Sequence, residues 1–523
     1  MRPGVYVQEA PLPRIVNNPG IGLTAGAFIG TALMGPTEPI LLTSWSQFVG
    51  TFGTFSSDEQ KTTLAPAVYQ FFSNGGGRCY SCRILSGDAS VAHTELLTAE
   101  AAPILGIDAI SAGYWGNGLS VDIIHPYIPE QTAGTGDFGG DFGTQFEQGG
   151  TQLSDGTSSL FDIIVRNTIR GVGVVVERFT QVTMNPNSPR YVERIINNST
   201  VGSQYITVAD RNHGQDQDAI PAVGERLALT GGLDGVTAPT VGDYVSAMEK
   251  FELIEGNLVF NIPGVWDATG VETKVQERGD SFLVVDAPNI SDVIDMLETS
   301  FPVTSYAGVY YPWIAIADPD PAAQRGSLRW CPPGGSVVGM IMRTDASRGS
   351  YKAPAGVGAT LTGAVATSKK LTNAELDNLN SYQVNAIRPV PGSGITVMGA
   401  RTRDFTTTAR YISVRRTLNY VKEKAKTTSV FALFEPNTIT LWEQLRVANG
   451  AFLSELWQAG GLAGRRLAEA FYVKVDGDNN PPAAIANGEL HIEIGIAPVF
   501  PAEFIIIRLG QFESDTSFVV TEG

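Results

Sequence analysis

The chain has 523 residues, 43% of them apolar and 17% charged, enough for two to four packed domains and too apolar for a disordered protein. A formal net charge of −17 argues against nucleic acid as the main partner. No apolar run reaches the ~18 residues of a membrane span, and three cysteines (Cys79, Cys82, Cys331) make no disulfide framework. The opening MRPGVYVQEAPLP lacks the cationic and apolar blocks of a signal peptide, so a protein made and kept in cytoplasm until lysis is expected. With 58 glycines and 30 prolines, many turns and much β structure follow.

Residues 1–20 hold four prolines and read as an extended arm. Ala25 to Met34 and Pro39 to Leu42 read as strands. Ser44 is a candidate cap for a short helix carrying Trp45, Phe48 and Val49. Ser57 or Asp58 caps a longer one, whose stripe Leu64, Val68, Phe71, Phe72 has the spacing of one buried face. Asn74 to Gly77 ends it, and Cys79 to Leu85 is the next strand. Residues 96–239 change character: they are rich in Gly, Thr and Ser, with short alternating runs. Strands are expected at Leu119–Ile124, within 163–183, and at Tyr191–Ile196 and Tyr205–Val208. Gly134 to Gly156 is a glycine-rich acidic loop, too long for an ordinary connection. From Thr240 the pattern alternates between helix (Asp243–Ile254, Ile290–Thr299) and strand (Leu258–Ile262, Phe282–Asp286, Tyr306–Ala317), the rhythm of a layered α/β sheet. Helices follow at Ser336–Thr344, Leu371–Asn380, Arg410–Lys426 and Thr438–Ala470, the last broken near Gly460-Gly461.

Gly488 to Phe512 reads as two strands. Leu490, Ile492 and Ile494 alternate with polar or small residues, and Phe504, Ile505, Ile506 and Ile507 form an apolar run after Pro501. Such a pair near a chain end leaves an edge that recruits another strand. Val5, Tyr6 and Val7 near one terminus and Phe518, Val519 and Val520 near the other are apolar runs too short to fold alone. They suit donation to another chain.

Catalytic signals are thin. The four histidines (His93, His125, His213, His491) are never at metal-ligand spacing. There is no phosphate loop, no strand-borne G-x-G-x-x-G and no G-x-S-x-G elbow. Cys79 and Cys82 have redox spacing but no helix start that would acidify a thiol. Between Arg343 and Lys426, however, 14 Lys/Arg face 5 Asp/Glu. A basic block in an acidic chain is a candidate docking surface for an acidic partner; a solvated face of scattered charges is the alternative. Arg410, Arg415, Arg416, Lys422, Lys424 and Lys426 are its core.

Taken together, PGVYVQE at the start, Phe71-Phe72-Ser73-Asn74-Gly75-Gly76, Gly113-Tyr114-Trp115-Gly116-Asn117, GGLDG at 231–235, Tyr310-Tyr311-Pro312-Trp313, Pro332-Pro333-Gly334, Arg343-Thr344-Asp345, Asn385, Gly399-Ala400-Arg401-Thr402, Tyr411 to Arg416 and Pro501-Ala502-Glu503-Phe504 resemble, in order, the motifs of contractile tail sheath proteins of phages and related injection machines. The resemblance implies an α+β or α/β multidomain fold: a donor arm at 1–22, an α/β domain from 23–95 plus 240–350, a β-rich outward insertion at 96–239, a C-terminal domain at 351–510 that faces a tube and accepts neighbouring strands, and a second donor arm at 511–523. It implies a structural subunit, not an enzyme, with no cofactor. Its partners would be further copies of itself, a tail tube protein, and baseplate and terminator proteins, with no nucleic acid and no membrane insertion. The particle would be a virion tail or an extracellular device, assembled in the bacterial cytoplasm. An α/β enzyme and a β-rich adhesin are the competing readings.

Overall fold

Neighbouring residues of a strand point to opposite faces, and in the central strands of this chain both sets are apolar. Phe28, Val259, Phe282, Val284 and Tyr310 join one buried cluster; Ala27, Ile29, Phe260, Leu283, Val285, Val309 and Tyr311 join another. A sheet apolar on both faces must be covered on both. The computed structural model describes residues 24–125, 159–503, 509–512 and 518–521, apart from positions 57, 59, 60, 86, 170, 171, 199, 213–218, 236, 237, 268, 269, 321, 322, 325, 407 and 408. Its centre is an eight-stranded sheet in the order Gly394–Val397, Val384–Val390, Ala307–Tyr311, Phe282–Asp286, Leu258–Asn261, Ala25–Gly30, Cys79–Arg83, Ile40–Leu42. The six inner strands run parallel, and an antiparallel strand closes each edge. The sheet extends to Val397, well past the domain boundary expected at 350.

Helices Leu64–Ser73 and Gly334–Arg348 cover the first face. Helices Val241–Glu249, Val271–Arg278 and Val293–Leu297 cover the second through Met248, Val275 and Met296. Of the expected caps, Ser57 lies outside the described residues and Asp58 lies six residues ahead of the helix, which begins at Leu64 after Thr63. Pro66 explains this, because proline is tolerated in a first turn, where its missing N–H is not needed, and breaks a helix interior. Leu64, Val68 and Phe71 are buried as their spacing requires. The two helices of the first face cross with their backbones in near contact. A methyl group on Gly335 would run into the carbonyl of Ala67, and one on Gly339 into that of Phe71.

Residues 93–228 build two further sheets. One has the order Gly224–Ala228, Leu119–Ile124, Leu160–Ile169, Val172–Thr183; the other His93–Leu97, Pro103–Ala109, Ile206–Asp210. They share a separate cluster that includes Leu105, Ile107, Val121, Ile163, Val165 and Ile206. Tyr191–Ile196, expected as a strand, is the helix Val192–Ile196, since the buried pair Val192 and Ile196 lies one helical turn apart. The chain enters and leaves this region through adjacent antiparallel contacts, Ser90 with Leu233 and His93 with Thr230. There Asn117 and Gly232 exchange two hydrogen bonds of 2.8 Å. The buried guanidinium of Arg83 donates to the carbonyls of Ala112, Leu33 and Gly35 at 2.8, 3.3 and 3.4 Å.

The stretch Tyr306–Ala317 is not one strand. Pro312 interrupts it, because a proline has no N–H for the ladder. Ala307–Tyr311 stays in the central sheet, while Ile314–Ala317 lies between Leu328–Cys331 and Ala364–Thr367 in a separate sheet. The last long helices are Ile412–Ser429 and Ile439–Gln458. The second ends before Gly460, which takes a positive φ of 84°, so the break expected near Gly460-Gly461 is there, and a short helix, Leu467–Ala470, follows it. Among the described residues no helix is long and apolar enough to cross a membrane.

Candidate inter-subunit interface

Leu490, Ile492 and Ile494 are half-buried and alternate with exposed His491 and Glu493. The hydrogen-bonded strand is shorter than that alternation, Glu493–Ile496. Its partner is Phe471–Lys474, antiparallel, a stretch expected to follow a helix end and not read as a strand. The Tyr472 hydroxyl donates to Glu493 Oε1 at 2.6 Å across the pair, and this hydrogen bond raises its pKa. Residues 490–492 are held by a side chain instead of a ladder: buried Asn480 accepts from the His491 N–H at 2.7 Å and donates to its carbonyl at 3.0 Å. The apolar side of the sheet, through Val473, Ile494 and Ile496, packs on Tyr420, Phe452, Leu453 and Leu456 of the two long helices. Among the described residues no third strand joins it. Two strands alone are marginal, and unpaired edges are templates for another chain.

The candidate donors Val5, Tyr6 and Val7 and the candidate acceptors Phe504, Ile505, Ile506 and Ile507 lie outside the described residues. Phe518, Val519 and Val520 belong to the strand Phe518–Thr521, antiparallel to Leu509–Phe512. Within one chain, then, the presumed donor run pairs with the end of the presumed acceptor segment. The expected division at 510/511 falls inside a strand.

The polypeptide leading there returns to the central sheet. Glu503 Oε2 accepts from Arg401 Nη2 at 2.7 Å and Nε at 3.1 Å, and from the Tyr411 hydroxyl at 3.1 Å. Arg401 is itself held: its Nη1 donates to the Asn380 carbonyl at 3.0 Å, and its backbone N–H to Asn385 Oδ1 at 2.7 Å. Buried Asn385 sits on the central strand Val384–Val390 and also donates to the Val309 carbonyl. Burial, then the Glu503 charge, raises the pKa of Tyr411. Spacing gave no sign of this cluster. Its members were visible only as separate motif fragments, with Glu503 102 residues from Arg401 and 92 from Tyr411.

The basic block divides. Arg416 is not at the surface: it is buried and donates to both carboxylate oxygens of buried Asp345, at 2.7 Å for Nη1 to Oδ1. An unpaired guanidinium could not stay in that core, so the pair is structural. Arg415 lies 4.4 Å over the ring of Tyr306 and donates to Asn419 Oδ1 at 3.0 Å; burial lowers its pKa. Lys422 and Lys426 are exposed, four residues apart on one helix face, and Arg410 and Lys424 are half-buried. Lys426 meets Glu255 at 3.5 Å. The turn beyond this helix exposes Val430, Phe431, Leu433 and Phe434, the last with a φ of 66°.

The carboxyl ends of the parallel strands are where α/β sheets ordinarily take ligands. Here Asp286 lies there, fully buried, accepting from the Gly334 N–H at 2.6 Å, Asn261 Nδ2 at 3.0 Å and the Gly264 N–H at 3.2 Å. The chain's own carboxylate thus occupies the start of helix Gly334–Arg348, the position a phosphate would take. Among the described residues no group of three or more His, Cys, Asp or Glu could hold a metal ion.

Residues 404–511 match the family model of the phage tail sheath C-terminal domain. This segment carries the two long helices, the two-stranded sheet and Glu503. A 192-residue stretch, 36% of the chain, is 26% identical to the tail sheath protein of Vibrio phage KVP40 and spans 28% of that protein's length. The fold is similar to the sheath tail protein from Listeria innocua, with a TM-score of 0.58 at 14% identity over 87% of this chain and 89% of that one. It is also similar to the sheath in the contracted state of an extracellular contractile injection system, PVC, with a TM-score of 0.53 at 22% identity over 98% of both chains. The mixed α/β, multi-sheet architecture is the one these sheath proteins share.

Proposed function

We propose that the chain is the structural subunit of a contractile tail sheath, polymerising helically around a tail tube and contracting to drive that tube through a cell envelope. The sheath C-terminal domain match over residues 404–511 carries this reading. The likeness in fold across nearly the whole chain supports it. In this reading residues 1–22 are one arm that pairs with a neighbour, the hairpin of Leu509–Phe512 and Phe518–Thr521 is the second, and the sheet Phe471–Lys474 with Glu493–Ile496 is the platform that receives them. Each added strand makes roughly four to six backbone hydrogen bonds of ~0.5–1.5 kcal/mol net, several kcal/mol per link. Head-to-tail links that do not close generate an open helix. Residues 96–239 form the outward insertion, hung from the central sheet by the paired crossings at Ser90 and Leu233. Arg410, Lys422, Lys424 and Lys426 face an acidic surface of the tube or of a neighbour. Baseplate and terminator proteins complete the particle, which assembles in bacterial cytoplasm.

Contraction is then a rigid-body rearrangement of subunits whose energy resides in inter-subunit contacts and not in a nucleotide. The burial of Asp286 at the usual phosphate position supports a structural role over the enzyme reading. Negative-stain microscopy of the purified chain tests the proposal: tubes or filaments are expected, while small discrete particles would favour the adhesin reading.

A further inference from the structure

Glu503 lies just before the arm-bearing segment. Every contact of its carboxylate leads away from the C-terminal sheet and toward the central one. Arg401 grips it through two nitrogens, Tyr411 donates a third hydrogen bond, and Arg401 is fixed by Asn380 and Asn385. Three residues earlier, the Phe500 ring meets Tyr411 edge-on, 6.2 Å between centroids. The chain is therefore pinned twice within four residues, to Arg401 and Tyr411, which bridge each other beside the central sheet and are tied to its strand Val384–Val390 through Asn385. The side-chain exposures are 13% for Arg401 and 22% for Glu503, on a segment that is itself exposed, so salt screens this pair only somewhat less than a fully exposed one.

We infer that Glu503 is a positioning residue: clamped by Arg401 and Tyr411, it fixes where the segment bearing the inter-subunit strands leaves the body and couples that segment to the central sheet. This rests on the sheath reading. A link between subunits transmits a rotation only if its root cannot slide. Without the Glu503 carboxylate, the nearest remaining attachment is the edge-on contact of Phe500 with Tyr411, and behind it the isolated bridge of Pro498 with Leu462. Three residues of slack would enter every link, up to ~10 Å of extended chain. Slack of that size uncouples the lattice from the body while leaving each subunit folded.

The test uses the full-length chain with E503A, E503Q, and the exchanged pair E503R/R401E. In the unpolymerised protein, amide exchange over residues 495–503 should rise at least tenfold in E503A and E503Q, with strands Leu258–Asn261 and Phe282–Asp286 unchanged. In polymers viewed by microscopy, mean filament length should fall at least fivefold in both single variants and recover to within twofold of the parent in the exchanged pair. Unchanged exchange, or single variants with filaments of parental length, would overturn the anchor. If the parent chain itself forms no filaments, the sheath reading falls, and the exchange measurement still decides whether Glu503 holds the segment.

Discussion

Arg416 on helix Ile412–Ser429 and Asp345 on helix Gly334–Arg348 form a buried two-nitrogen, two-oxygen ion pair that joins the C-terminal helices to the layer covering the central sheet. The hydroxyl of Tyr310, also buried, lies near enough for the guanidinium charge to bear on it. The pair is a seam between two parts of the chain.

Removing one member strands the other charge in the core, which costs about 3–5 kcal/mol. R416M and D345N should each lower the unfolding free energy of the central transition, read from urea titrations, by that amount. The double variant R416M/D345L should recover most of the loss, because an apolar pair of similar size leaves no charge unpaired. If R416M unfolds at the parental midpoint, the pair contributes nothing.

The crossing of helices Leu64–Ser73 and Gly334–Arg348 depends on the absence of a Cβ at Gly335. In G335A the new methyl would occupy the space of the Ala67 carbonyl, and backbone cannot yield as a flexible side chain does. The variant should lose about 2–3 kcal/mol even though alanine favours helix more than glycine. An unchanged or raised melting temperature would show that the helices separate freely.

Much of the central sheet was readable because doubly covered parallel strands are continuous apolar runs, and Leu258–Asn261 and Phe282–Asp286 are such runs. The stripe Leu64, Val68, Phe71 was readable because the buried face of a helix repeats every three to four residues. What escaped was decided by distant partners. Phe471–Lys474 is a strand only because Glu493–Ile496 lies beside it, and the run after Gly460 offers no alternation to reveal that. Arg416 has the composition of a surface basic block but sits opposite Asp345, 71 residues away. Glu503 meets Arg401 across 102 residues, a relation no local pattern encodes.

Asp286 gives the fold a pH dependence of definite sign. Burial raises its pKa to about 6, against the opposing hydrogen bonds from Asn261, Gly264 and Gly334. The unfolded value is about 3.9. The native state therefore binds the extra proton between those values, and stability falls as pH rises from about 4 to about 6, then levels. D286N should flatten that slope. It should also be less stable than the parent at pH 7, since an amide offers one acceptor oxygen where three donors converge. Denaturant titrations at half-unit pH steps measure both, and a parental slope retained in D286N would assign it to another group.

The strand-exchange mesh makes the last prediction. The central strand Ala25–Gly30 is fully buried and begins after the arm, so removing residues 1–20 leaves every described core cluster intact. The truncated chain should melt within about 2 °C of the parent, because a 1 kcal/mol change in a domain of 150–250 residues already shifts the midpoint by ~2–4 °C. It should sediment as a monomer under conditions where the parent polymerises. Adding a peptide of residues 1–20 in excess should not restore long filaments, since a free strand fills the acceptor edge without linking two subunits. Long filaments from the truncated chain would mean that body-to-body contacts alone hold the lattice, and the arms would then lose the role assigned to them.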